Sequence, residues 1–186
     1  MTQRTLYLDT ETTGLDPRTS GVVEIAIVDD AGEVLLQSLV NPWPHKAWPE
    51  AEAIHGITPE MVKHAPLIHD LWPAIFKMVQ GSRLVIYNAE YDRQFFPNGA
   101  LMYCDIECAM LRYSRAAGVM GPRGTPKWHK LVDAASDCEH EWNGKAHRAV
   151  ADAQACRTVW RYLEAEEAEN KKNVPRGTVP NYAEAR

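Results

Sequence analysis

Runs of consecutive apolar residues alternate along the chain with stretches whose apolar positions recur at helical spacing. Thr5-Leu6-Tyr7-Leu8 and Val22-Val23-Glu24-Ile25-Ala26-Ile27-Val28 are short and nearly unbroken, which reads as buried strands. Val34 to Val40 forms a third run, and the Asp29-Asp30-Ala31-Gly32 turn between them predicts a hairpin. Leu67, Leu71, Ile75, Met78 and Val79 fall on one side of a helix. Leu84-Val85-Ile86-Tyr87 is a fourth strand, with a helix starting near Glu90. Ala100-Leu101-Met102-Tyr103-Cys104 reads as a fifth strand, followed by a helix through Ala117; Trp128 to Ser136 reads as another helix. Ala149, Ala153, Cys156, Trp160 and Leu163 recur at i, i+4, i+7, i+11 and i+14, the clearest apolar stripe in the chain.

Between these elements lie an irregular, proline-rich region from Asn41 to Pro66 and a Gly/Pro-rich loop from Gly118 to Lys127. Beyond Glu169 the periodicity stops and the residues turn polar, with Pro175 and Pro180. The expectation is one ordered domain over residues 1–168 and a flexible tail over 169–186. An antiparallel hairpin beside the first strand, then strands alternating with helices, predicts an α/β fold with a mixed sheet of about five strands.

The length of 186 residues suits a single domain with a sizeable core. No apolar run is long enough for a membrane span and no signal peptide opens the chain, so the expected location is cytoplasmic. The four cysteines form no CxxC pair and read as reduced thiols; Cys138-Glu139-His140 lacks a second half with zinc spacing. A net charge of −5 argues against a nucleic-acid partner at face value. Carboxylates that hold divalent cations would reverse that argument locally, because a bound cation is often the largest charge in its neighbourhood.

Five positions carry the chemistry. Asp9 and Glu11 close the first strand, and residues i and i+2 of a strand point to the same face. They would repel each other unless a cation sat between them, and oxygen donors on rigid backbone suit a hard ion such as Mg²⁺. A solvated acidic turn, supported by Gly14 and Asp16-Pro17, is the plain alternative. Asp152 falls between Val159 and Leu163 on the helical wheel, inside the apolar stripe. A buried carboxylate there needs a cation, a proton, or an arginine such as Arg83 or Arg112. Asp92 stands in what should be the first turn of a helix, where an acidic residue also simply complements the helix dipole. His147 precedes Asp152 by five residues, about 140° away on a regular helix. It can share a site with Asp152 only from the loop or the first turn; a surface histidine is the alternative.

Taken together, Asp9-x-Glu11, Asp92 after Asn88-Ala89, and His147-x-Ala149-x-x-Asp152-Ala153 resemble the three motifs of the DnaQ-like superfamily, DEDDh branch. That family contains proofreading 3′–5′ exonucleases, including the polymerase III epsilon subunit and exonuclease X, and the resemblance runs from Leu6 to about Leu163. It implies an RNase H-like fold and a metal-dependent 3′–5′ exonuclease acting on DNA, on single-stranded or frayed ends. It further implies two divalent cations, Mg²⁺ with Mn²⁺ as substitute, held by Asp9, Glu11, Asp92 and Asp152, with His147 as general base. The same resemblance places Thr10, Thr12, His55, Asn88 and Tyr91 on the nucleic-acid side, and Ala53-Ile54-His55-Gly56-Ile57-Thr58 against the 3′-terminal nucleotide. Tyr87 and Glu90 depart from the family pattern, and an inward Glu90 would oppose a phosphate.

Several contacts remain open at this level. Trp43, Trp48, Arg115, Arg123, Lys127 and Trp128 are candidates for binding the strand, while Trp72 and Trp160 fall on core stripes. A 3′–5′ exoribonuclease is the nearest rival, since the metal chemistry ignores the 2′-OH. A non-catalytic adaptor for nucleic-acid ends or a polymerase is the rival of another class. The tail is a candidate docking segment for a replication or repair partner.

Overall fold

A computed structural model describes residues 3–97 and 99–173. Its centre is a five-stranded sheet in the order β3-β2-β1-β4-β5. The strands are β1 (Thr5–Thr12), β2 (Val22–Asp29), β3 (Val34–Leu39), β4 (Arg83–Ile86) and β5 (Asp105–Cys108). β1 pairs antiparallel with β2 and parallel with β4; β2–β3 is the antiparallel hairpin and β4–β5 is parallel. The sheet is therefore mixed, as expected. The β2–β3 turn closes with Gly32 N–H donating to the Asp29 carbonyl, and Gly32 sits at φ 92, where a side chain would be strained.

Among the described residues seven α-helices surround the sheet: α1 (Pro49–His55), α2 (Pro59–Val62), α3 (Ile68–Val79), α4 (Ala89–Asp92), α5 (Ala109–Ala117), α6 (Leu131–Asp137) and α7 (Ala149–Asn173). Alternation along β1 sends Tyr7 into a core shared with α5, α6 and α7, and sends Leu6 and Leu8 into a second core with α3. Trp160 belongs to the first core and Trp72 to the second, as their stripe positions suggested. Asp9 and Glu11 share parity with Tyr7, so β1 directs them toward the α7 side. No helix among the described residues is long and apolar enough to cross a membrane.

Four expectations need correction. The fifth strand is Asp105–Cys108, while residues 100–104 form consecutive turns, with Met102 N–H on the Gly99 carbonyl and Cys104 N–H on the Leu101 carbonyl. Leu101 enters the α3 core while Met102 and Tyr103 are both exposed, which a half-buried strand would not allow. The region from Asn41 to Pro66 contains α1 and α2, each opening on a proline whose missing N–H costs a first-turn residue nothing. The helix expected from Trp128 begins only at Leu131, after an extended Lys130. The last helix continues to Asn173, past the end of its apolar stripe; the rest of the anticipated tail lies outside the described residues.

Candidate active site

β1, α4 and α7 bring Asp9, Glu11, Asp92 and Asp152 to one cleft of about 740 Å³. Asp92 follows β4 in the single turn of α4 and is 5% exposed. Its Oδ1 accepts a 2.7 Å hydrogen bond from the Thr10 hydroxyl, which fixes it against β1. Asp152 lies in the first turn of α7, and its Oδ1 accepts the His147 backbone N–H at 3.0 Å. His147 itself precedes the helix at φ 62, a left-handed conformation uncommon outside glycine, and its side chain is half exposed. That turn carries the imidazole back over the helix, leaving Nδ1 4.0 Å from Asp152 Oδ2. Ligand atoms of Glu11, His147 and Asp152 lie within 4.8 Å of one another.

The arginines that could have neutralised Asp152 are engaged elsewhere: Arg83 pairs with Glu164 at 3.0 Å and Arg112 with Glu167 at 3.0 Å. Among the described residues no lysine or arginine forms an ion pair with Asp9, Glu11, Asp92 or Asp152. Burial, first of all, pushes all four carboxyls above their ordinary range. For Asp9 the negative charges of Asp92, Asp152 and Glu11 add to it, and for Glu11 those of Asp152 and Glu24. The Thr10 hydrogen bond partly opposes the rise at Asp92, and the His147 N–H does so at Asp152. A cluster of oxygen donors in this state fits a hard divalent cation, which would stabilise the ionised forms together.

Glu24 is the residue that the pattern-based reading passed over. It lies on β2 opposite Glu11, and its side chain is 1% exposed. Both carboxylate oxygens accept from Arg148, at 2.9 and 2.7 Å, and Oε2 also accepts the Ala149 N–H at 3.0 Å. Burial raises the Glu24 carboxyl, but Arg148 and the Ala149 N–H overcome that and leave it below the ordinary range. This clamp ties the start of α7 to β2 on the residue next to His147. A lone glutamate within the apolar run of β2 was the available signal.

The anticipated nucleic-acid contacts divide. Asn88 and Tyr91 line the cleft, with the Tyr91 hydroxyl 2.7 Å from that of Thr12 and donating to the Gly14 carbonyl at 2.9 Å. Thr10 and Thr12 are buried and serve to position Asp92 and Tyr91. His55 is buried: Nδ1 accepts the Ile57 N–H at 2.9 Å, so the proton resides on Nε2, which faces the Thr12 carbonyl at 3.3 Å. It links α1 to the end of β1, and its neighbour Ile54 lines the cleft in its place. Glu90 turns outward to pair with Arg93 at 3.2 Å, so it does not crowd the cleft. Trp48 is buried, with its indole N–H on the Ile57 carbonyl, whereas Trp43 and Trp128 are exposed.

A protein-family model described as Exonuclease matches residues 6–159. The chain belongs to the exonuclease family. Among its relatives, the uncharacterized exonuclease CP81 of Escherichia phage 186 is 41% identical over 162 residues, covering 80% of this chain and 82% of that protein. The DNA polymerase III subunit epsilon of Rickettsia felis is 34% identical over 118 residues, covering 61% of this chain and 51% of that protein. In structure, this exonuclease-family chain is similar to exonuclease X in complex with 5′ overhanging duplex DNA. That likeness has a TM-score of 0.71 and 27% identity, covering 88% of this chain and 93% of the other. The mixed sheet with flanking helices is thus of the RNase H-like exonuclease type.

Proposed function

We propose that the protein is a 3′–5′ exonuclease that removes nucleotides from single-stranded or frayed DNA ends, using two divalent cations and His147 as general base. The observation that carries this reading is the four-carboxylate cleft, in which no described lysine or arginine forms an ion pair with any of the four, capped by a histidine on a left-handed turn. Asp9, Glu11 and Asp152 would hold the cation nearest His147, and Asp92 would help to hold a second. When bound, such ions neutralise charge on the phosphate and favour ionisation of an attacking water.

The remaining roles fall to the chain's own residues. His147 lines the cleft with Nδ1 4.0 Å from Asp152 Oδ2, and its imidazole would accept the water's proton. The half-exposed side chain leaves the imidazole room to close over a strand end. The Thr10 hydroxyl holds Asp92 in place, and the Tyr91 hydroxyl pins the loop after β1 through Gly14. DNA is favoured over RNA because exonuclease X is seen with DNA. Likeness to half of an epsilon subunit also makes association with a polymerase a proposal.

A digestion time course with 5′-labelled DNA and RNA of one sequence, in Mg²⁺, Mn²⁺ or EDTA, tests the reading. The expected result is a metal-dependent ladder shortening from the 3′ end, faster on DNA. A faster RNA ladder would move the assignment to an exoribonuclease; binding without cleavage of either would move it to an adaptor.

A further inference from the structure

Residues 109–132 contain five lysines and arginines and no carboxylate, in a chain whose net charge is −5. Arg112 is occupied by Glu167 and lies 4.1 Å from the Trp160 ring centroid. Arg115, Arg123, Lys127 and Lys130 are exposed and form no ion pair among the described residues. Three of these four lie on a small hairpin or directly after it. Met120 bridges Pro126, Lys127 N–H donates to the Val119 carbonyl at 2.8 Å, and Gly121 N–H donates to the Thr125 carbonyl at 2.8 Å. The arm is therefore hydrogen-bonded to itself.

The base of the arm is fastened beside the cleft. The Tyr87 hydroxyl donates to the His129 carbonyl at 2.9 Å, and the Tyr113 ring meets the His129 ring edge-on at 5.3 Å. Tyr87, a departure from the family pattern, thus acts as the anchor. It fixes the flanking residues where Trp128, 66% exposed, and Lys130 line the same cleft as Asp9 and His147. Exposing an indole is unfavourable in water, and surrounding it with unpaired cations suits a ligand with alternating flat rings and negative charges.

We infer that the 119–130 arm grips the substrate strand on the 5′ side of its terminal nucleotide, with Trp128 stacking on a base and Arg123, Lys127 and Lys130 contacting successive phosphates. This rests on the exonuclease reading for the identity of the strand. It explains how an acidic chain can hold a polyanion: unpaired cations are gathered on one arm that leads into the carboxylate cleft.

The test is fluorescence anisotropy of a 5′-labelled DNA 12-mer in EDTA, from about 50 to 200 mM salt, for wild type, R123Q/K127Q and W128A. Each single-strand phosphate contact contributes about 0.7 to the slope of log affinity on log salt. The double variant should therefore flatten the slope by about 1.4, and W128A should weaken binding about fivefold or more without changing it. Substitution of these exposed side chains should leave thermal melting as in wild type, which separates lost contacts from lost folding. Unchanged slope and affinity in both variants would overturn the inference. Cleavage of the same 12-mer in Mg²⁺ is measured separately. Its absence in wild type, with salt-dependent 12-mer binding intact, would count against the exonuclease reading and leave the arm standing.

Discussion

Replacing Arg148 with methionine keeps most of the side chain's apolar length but removes both hydrogen bonds to Glu24. Glu24 would retain the Ala149 N–H and the Gln37 side chain, in a site where its own side chain is 1% exposed and Glu11 lies opposite. Hydrogen bonds to charged groups contribute about 1.5–3 kcal/mol each, which gives an upper range of about 3–6 kcal/mol for the two. Two features reduce it. Arg148 is about a third exposed, so part of the pairing is screened by water. Glu24 can also take up a proton, and neutralising a carboxyl of ordinary pKa at pH 7 costs about 3.7 kcal/mol, which limits the penalty. The expected loss is about 3 kcal/mol, or roughly 6–12 °C in melting temperature for a chain of this size.

The pH dependence identifies the cause. In wild type Glu24 is held below the ordinary range, so its stabilisation is present at neutral pH and is lost as pH falls through the folded-state value. In the variant the same group rises above the ordinary range, and stability is lost as pH rises through it. The difference between the two proteins should therefore widen from pH 5 to pH 8 in urea titrations followed by circular dichroism. A loss under about 1 kcal/mol, or a difference independent of pH, would refute the clamp.

Other expectations follow from the same geometry. Asp9→Asn and Asp152→Asn should abolish hydrolysis, whereas His147→Ala should lower kcat roughly 10²–10⁴-fold with a smaller effect on KM. Wild-type turnover in either aspartate variant would exclude their role in holding metal. Thr10→Val removes the hydroxyl on Asp92 and should raise the half-saturating Mg²⁺ concentration about tenfold, read from activity against metal concentration. Without metal, the raised carboxyls of Asp9, Glu11, Asp92 and Asp152 bind more protons folded than unfolded, so stability should fall as pH rises from about 4 toward 8. Thermal melting should show that fall, and added Mg²⁺ should raise the melting temperature more at pH 8 than at pH 5.5.

The sheet was legible because its strands are short apolar runs, and α7 because its stripe is long. β5 was displaced because Asp105-Ile106-Glu107-Cys108 is an alternating edge strand, while the more apolar residues just before it serve the α3 core from turns. α1 and α2 were hidden by a proline count that ignored where Pro49 and Pro59 stand. Strand parity made Asp9 and Glu11 readable and the helical wheel Asp152, whereas Asp92 joined them only through the motif resemblance. Glu24 obeys the same logic as Asp152 and could have been found by it. The burial of His55 could not, because it depends on contacts with Ile57 and the end of β1.

Counting Mn²⁺ bound per chain at pH 8 by electron paramagnetic resonance, with thymidine monophosphate present as product, examines the carboxylate cleft without relying on turnover. Two ions should bind wild type, and Asp9→Asn should lose that stoichiometry. No ion on wild type, or two ions still bound by the variant, would contradict the assignment of these carboxylates to metal.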